Sequence, residues 1–135
     1  MKAVVHGKIV LPDRVVAGKA LLFDEKIRGI VEMSEIGNAE VIDAEGMYVA
    51  PGLVDIHIHG YLGRDASDGD EQGLIAMAEG IVKNGVTSWL PTTMTVSIDE
   101  LRRAFALIRK LKADSADRKH FKGAQVLGVN AEGPF

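Results

Sequence analysis

Two histidines separated by one residue, His57 and His59, are the side chains of this sequence whose type and spacing best suit chemistry. They lie in the apolar run 53–59, which predicts a strand whose side chains alternate between two faces. Asp55, His57 and His59 then share one face, with the two histidines about 6.6 Å apart along the backbone at roughly 3.3 Å per residue. Imidazoles at this spacing can bind one metal ion. The simpler alternative is a pair of polar residues on a solvated strand face.

A carboxylate that could complete such a site lies at the far end of the sequence. The run QVLGVNAE, residues 125–132, predicts another strand with alternating faces, in which Glu132 shares a face with Asn130. Glu132 ends this strand as His59 ends the earlier one. Ligand sites of parallel α/β folds collect at the carboxyl ends of strands, so His57, His59 and Glu132 could meet there.

Strand and helix signals alternate through the second part of the sequence and would position these residues. Apolar residues at helical spacing predict a helix with Asp68 and Asp70 at its start and Gly85 just past its end. Residues 86–93 then predict a strand, and Ser97 with Glu100 form the capping box that starts a second helix. Strand, helix, strand, helix, strand is typical of βα units on a parallel sheet with right-handed crossovers.

The first fifty residues follow a different pattern. Short β-branched runs alternate with the turn signals PD, DE, GN and EG, and they are too short and too evenly spaced for helices. This pattern predicts a small all-β unit. We therefore divide the chain into residues 1–50 and residues 51–135.

Composition excludes several functional classes. The chain of 135 residues carries 16 basic and 19 acidic residues, a net charge of -3, without the basic patch of a nucleic-acid-binding protein. It has no cysteine, which excludes thiolate ligands, thiol nucleophiles and disulfides within this sequence. Neither a signal peptide nor a membrane-spanning run is evident, so we expect a cytoplasmic protein without membrane association.

Two longer motifs resemble a known family. The run YVAPGLVDIHIHG, preceded by VIDAEG, is similar to the entry into the barrel of metal-dependent amidohydrolases. The runs GVTSWLPTTMT and GVNAEGPF resemble the N-acetylglucosamine-6-phosphate deacetylase branch of that superfamily. The resemblance implies an α/β fold: the N-terminal part of a small β-sandwich domain, followed by the first three βα units of a (β/α)8 TIM-type barrel.

The resemblance also implies a chemistry and a set of ligands. Glu132 matches the glutamate that holds the catalytic divalent metal, while His57 and His59 match a pair that lets some members hold a second ion. The expected cofactor is therefore one or two ions of zinc or iron. The family hydrolyses the acetamide of N-acetylglucosamine 6-phosphate to glucosamine 6-phosphate and acetate, with an aspartate as general base. No catalytic residue of that kind matches within this chain, so we expect the general base beyond Phe135.

The whole protein is then expected to be a homodimer that acts on a small amino-sugar phosphate, and the 135-residue chain alone is expected to be inactive. One alternative is another amidohydrolase that acts on a cyclic amide. A second alternative, from a different class, is a non-catalytic scaffold derived from the same fold.

Overall fold

The computed structural model describes residues 1–133. The chain forms two compact units, Met1–Pro51 and Gly52–Phe135. Across the described residues, no helix is both long and apolar enough to cross a bilayer. The candidate ligands His57, His59 and Glu132 all belong to the second unit.

The first unit consists of seven short strands in two mixed sheets. In chain order the strands are β1 Lys2–Val5, β2 Lys8–Val10, β3 Val15–Val16, β4 Lys19–Phe23, β5 Ile27–Glu32, β6 Glu40–Asp43 and β7 Tyr48–Val49. One sheet has the order β5-β4-β1-β6 and the other the order β3-β2-β7. A short 3-10 helix, Met33–Glu35, precedes β6. Ala3, Val5 and Ala20 form the small buried core of this unit.

The second unit alternates strands and helices around one central strand. Its elements are β8 Leu53–Ile58, β9 Gly60–Tyr61, β10 Arg64–Asp65, α1 Glu71–Val82, β11 Val86–Thr93, α2 Ile98–Ala116, β12 Gln125–Val126 and β13 Asn130–Ala131. Strand β11 pairs in parallel with β8 on one side and with β12 and β13 on the other. Strands β9 and β10 form a small antiparallel hairpin between β8 and α1. The parallel βα arrangement agrees with the alternation in the sequence.

The prediction of one continuous strand over residues 125–132 is wrong. The pairing stops after β12 meets Trp89 and resumes where β13 meets Thr92. Between these points β11 contributes two residues, whereas the other strand contributes the three residues 127–129. One extra residue on one side interrupts a ladder. Pro91 of β11 also lacks the N–H group that a ladder requires, so the two strands separate here.

Both helices begin at the residues that the sequence predicts. The side chain of Asp70 accepts a hydrogen bond from the Gln72 N–H group at the start of α1. At the start of α2, Ser97 and Glu100 form a reciprocal capping box. Each bond satisfies a backbone donor that the first helical turn leaves without a partner.

The helices cover one face of β11, where the main core lies. Trp89 is fully buried at the centre of this strand. It belongs to a cluster that draws apolar side chains from α1, α2 and β12: Leu74, Met77, Ala78, Ile81, Ile108, Leu111 and Val126. This packing fixes β11 against the helices, and β11 in turn sets the positions of the two strands that carry the candidate ligands.

Candidate metal centre

The structure brings together all three residues that the sequence nominates as ligands. His57 lies near the end of β8, His59 directly follows it, and Glu132 directly follows β13. Their ligand atoms all lie within 4.8 Å of one another. Because β8 and β13 flank β11 and run in the same direction, their carboxyl ends meet at one edge of the sheet.

The spacing within this group suits a single cation. His57 Nε2 and His59 Nε2 lie 2.8 Å and 3.2 Å from Glu132 Oε2, and the two ring nitrogens are 3.2 Å apart. Two ligands about 2.1 Å from one ion, at bond angles of roughly 90–110°, are about 3.0–3.4 Å apart. The group therefore needs only small movements to accept an ion. The rings meet edge to face at 77°, so their nitrogens converge without stacking of the rings.

A main-chain contact orients the ring of His59. Its Nδ1 lies 3.1 Å from the carbonyl oxygen of Thr92, an atom that can only accept a hydrogen bond. Nδ1 therefore carries a proton, and Nε2, which faces Glu132 and His57, is the ring nitrogen that could bind a metal. A histidine that binds a metal through one nitrogen is commonly held in this way through the other.

Asp55 does not join the group, although strict alternation would place it on the same face. Its Oδ1 accepts a hydrogen bond of 3.0 Å from the His57 N–H group. The register explains the difference: between the pairs Asp55–Trp89 and Ile58–Pro91, two residues of β8 face one residue of β11. This β-bulge breaks the regular alternation at His57, and bulges of this kind re-aim side chains.

The donor set and its exposure define what the site can bind. Two imidazoles and a carboxylate suit zinc and iron, and the carboxylate offsets the charge of the cation. The side chains of His57 and Glu132 are 53% and 54% exposed, and that of His59 is 31% exposed. A ligand from solution can therefore reach the group. The structure places Glu132 and the histidines in one donor group, while the separate roles predicted for them stay predictions.

Two hydrogen bonds beside the group have only weak signals in the sequence. Thr92 acts on His59 through its main-chain oxygen, and this atom is common to every residue type. Asn130 donates a hydrogen bond from Nδ2 to the Ile56 carbonyl oxygen, 3.1 Å away. That contact depends on the bulge in β8. A pattern based on regular alternation does not reveal a bulge.

Parallel strands joined through helices, with nitrogen and oxygen ligands at their carboxyl ends, define an α/β protein with a candidate divalent-metal centre. Residues 40–109 match the amidohydrolase family, 70 of the 135 residues, and the match includes both histidines. The chain therefore belongs to the amidohydrolase family, which confirms the resemblance of its motifs.

Individual relatives point to one branch of this family. The chain is 34% identical over 134 residues to the N-acetylglucosamine-6-phosphate deacetylase of Vibrio furnissii, a match that covers 98% of this chain and 31% of the relative. It is 30% identical over 125 residues to the N-acetylgalactosamine-6-phosphate deacetylase of Escherichia coli O157:H7, covering 90% of this chain and 32% of the relative.

A solved structure shows the same similarity in three dimensions. The crystal structure of N-acetylglucosamine-6-phosphate deacetylase from Pasteurella multocida superposes with a TM-score of 0.85 at 30% identity. The match covers 99% of this chain and 34% of that structure. The chain thus spans about a third of the length of the proteins that it matches.

Proposed function

We propose that the protein is a metal-dependent deacetylase that hydrolyses the acetamide of an N-acetylated amino-sugar 6-phosphate. The observation that carries this proposal is the similarity to deacetylases along almost the whole chain, at 34% identity to the Vibrio furnissii relative. The group formed by His57, His59 and Glu132 supports it, since these side chains could hold the divalent metal that the resemblance implies. We further propose that β8, β11 and the β12–β13 strand are the first three strands of a (β/α)8 barrel, and that the first unit belongs to a β-sandwich.

His59 and Glu132 have distinct parts in holding the metal. His59 presents Nε2 because the Thr92 carbonyl oxygen holds the proton on Nδ1. Glu132 supplies negative charge and lies within 3.2 Å of both imidazoles. A divalent cation bound there, zinc or iron, would act as a Lewis acid toward the amide carbonyl and toward water.

The reaction breaks the bond between the acetyl carbon and the sugar nitrogen and forms a bond from that carbon to a water oxygen. The products are acetate and the free amine of the sugar phosphate. We propose that an aspartate beyond Phe135 accepts the water proton and returns a proton to the amine, as a general base and then a general acid. The 135-residue chain is accordingly expected to be inactive by itself.

A second substrate is favoured by a specific observation. The Escherichia coli relative is named for N-acetylgalactosamine 6-phosphate, and its identity of 30% is close to that of the relatives named for the glucosamine compound. The two sugars differ only in the configuration of one hydroxyl group. We place the N-acetylglucosamine compound first because the solved structure with a TM-score of 0.85 is named for it.

The test uses the full-length protein purified with zinc. It measures the release of acetate from both sugar phosphates and the hydrolysis of a cyclic amide. We expect deacetylation, with higher kcat/KM for N-acetylglucosamine 6-phosphate. Glu132→Gln should abolish it, while Glu79→Gln, at an exposed position on α1, should not. Hydrolysis of the cyclic amide alone would contradict the proposal. Absence of both metal binding and hydrolysis would favour a non-catalytic scaffold.

We also propose that the full-length protein is a cytoplasmic homodimer. A phosphorylated sugar stays in the cytoplasm, because its phosphate group prevents free passage through a membrane. An enzyme that acts on it would therefore work in the cytoplasm. Sedimentation of the full-length protein would measure the oligomeric state directly, and a monomer at micromolar concentration would contradict the dimer.

A further inference from the structure

At the β-bulge in β8, one peptide group lies outside the regular pairing of the sheet, and side chains form hydrogen bonds with it instead. Ile56 and His57 together face the single residue Leu90 of β11. The peptide between them offers the Ile56 carbonyl oxygen and the His57 N–H group. Asn130 Nδ2 donates to that oxygen at 3.1 Å, and Asp55 Oδ1 accepts from that N–H group at 3.0 Å. Both ends of one peptide group are therefore held by side chains.

Holding this peptide fixes the direction in which His57 leaves the main chain. A peptide group is planar, so two hydrogen bonds at its opposite ends restrict its rotation about the chain. The Cα–Cβ bond of His57 starts at the next atom along the chain. Its orientation decides whether Nε2 reaches Glu132 Oε2, which is 2.8 Å away.

Asn130 also belongs to the strand that leads to Glu132. Strands β8 and β13 are not neighbours, because β11 lies between them. Next-but-one strands of a sheet are about 9.6 Å apart at a spacing of roughly 4.8 Å. The Asn130 side chain and its hydrogen bond to the Ile56 carbonyl oxygen together span this gap. They link the peptide of His57 to a residue two positions before Glu132.

We propose that Asn130 is a positioning residue for the metal centre, which sets His57 against Glu132 through the Ile56–His57 peptide. This inference rests on the proposed function in one respect, namely that the group binds a divalent cation. It assigns Asn130 a role in metal affinity without direct contact between Asn130 and the metal. Residues that orient metal ligands typically contribute about 10- to 100-fold to metal affinity or activity.

The test compares Zn²⁺ affinity between variants of the full-length protein, by competition with a chromophoric chelator. Asn130→Leu keeps the approximate shape of the side chain but removes the donor, and Asn130→Ser shortens it without adding apolar surface. Asn84→Leu is the matched control, because Asn84 Nδ2 donates a similar bond of 2.9 Å to the Tyr61 hydroxyl away from the ligands. We expect both Asn130 variants to bind Zn²⁺ about 10- to 100-fold more weakly, with the control unchanged.

A second measurement does not depend on the metal. Without Zn²⁺, hydrogen exchange of the His57 amide should become faster in Asn130→Leu and stay unchanged in Asn84→Leu. The reason is that loss of the hydrogen bond from Asn130 to the Ile56 carbonyl oxygen makes local opening of the bulge easier. If Asn130→Leu does not fold by circular dichroism, Asn130→Ser decides the question. The inference would be overturned if the Asn130 variants bound Zn²⁺ with affinities within about threefold of the parent's. That ratio corresponds to a change of less than about 0.7 kcal/mol in the free energy of binding.

The two proposals fail in different ways. Loss of deacetylation with Zn²⁺ binding that still depends on Asn130 would contradict the proposed function alone. Deacetylation with Zn²⁺ affinity that is insensitive to Asn130 would contradict this inference alone. A parent protein that binds no Zn²⁺ would overturn both.

Discussion

Replacement of Gly52 by alanine tests how closely β8, the strand that carries the candidate ligand His57, must approach β11. A β-carbon at Gly52 would lie 2.6 Å from the Cβ atom of Thr87, on the neighbouring strand. Carbon atoms in contact are normally about 3.5–4.0 Å apart. Rotation of the Thr87 side chain cannot relieve this contact, because its Cβ atom is fixed to the backbone. The two strands would have to move apart.

The size of the effect follows from two opposing terms. An extra carbon forced into a close contact costs about 1–3 kcal/mol. The gain from a less flexible unfolded chain is about 0.4–1 kcal/mol. Gly52 is not among the described residues with positive φ, so its backbone conformation itself accepts alanine. We therefore expect Gly52→Ala to lower the free energy of unfolding by about 1.3 kcal/mol, the difference between the midpoints of these terms.

Urea denaturation measures this change, with the fluorescence of Trp89 as the signal because it is the sequence's one tryptophan and is fully buried. Gly128→Ala is the matched control. Its added carbon meets only Leu90 Cδ2, at 3.4 Å, so we expect a change within about 0.5 kcal/mol. Thr87→Gly removes the opposing carbon and should rescue Gly52→Ala by about 1 kcal/mol beyond additivity. Additive effects, or a Gly52→Ala variant as stable as the control, would refute the close approach.

Three further predictions concern the start of α2 and the ligand group. Ser97→Ala should lower the free energy of unfolding by about 1 kcal/mol, measured by the same denaturation, because the N-cap bond to the Glu100 N–H group is lost. Hydrogen bonds from the Ser97 hydroxyl and then the Ser97 N–H group lower the pKa of Glu100 below its usual 4.5. This carboxylate therefore stabilises the fold above pH 4.5 and loses its contribution as the pH falls through the lower folded value, so Glu100→Gln should flatten the dependence of stability on acidic pH. A pH dependence unchanged from the parent would contradict this. Glu132→Gln should weaken Zn²⁺ binding by more than about 100-fold, a larger loss than for a residue that only orients a ligand, and chelator competition that gave equal affinities would exclude Glu132 as a ligand.

Local signals in the sequence account for the elements that were predicted correctly. The strand over 86–93 is bounded by a glycine and by a capping box, and the structure has β11 at Val86–Thr93. The start of α2 follows from Ser97 and Glu100, whose side chains bond to the backbone within one turn. The meeting of the histidines with Glu132 at one end of the sheet follows from the parallel strands, because the carboxyl ends of parallel strands lie together.

The features that were not predicted depend on contacts between distant segments. The third strand breaks because Pro91, in a neighbouring strand, offers no N–H group to it. The bulge at Ile56–His57 is a property of the register between two strands, and neither strand reveals it alone. In the first unit, β1 and β2 belong to different sheets, and His6 between them adopts a positive φ of 53°, which the sequence pattern does not reveal.

The hydrogen bond between His59 and Thr92 has a consequence for how this site tolerates sequence change. Its acceptor is a main-chain oxygen, so a substitution at position 92 alters the side chain but leaves the acceptor in place. A point mutation at position 92 keeps this acceptor and removes only the buried hydroxyl, which accepts a bond of 3.1 Å from the Ile58 N–H group. An insertion or deletion in β11 would displace the main-chain oxygen itself. Among variants of this protein, changes in the length of β11 should therefore be tolerated less well than changes of residue type at position 92.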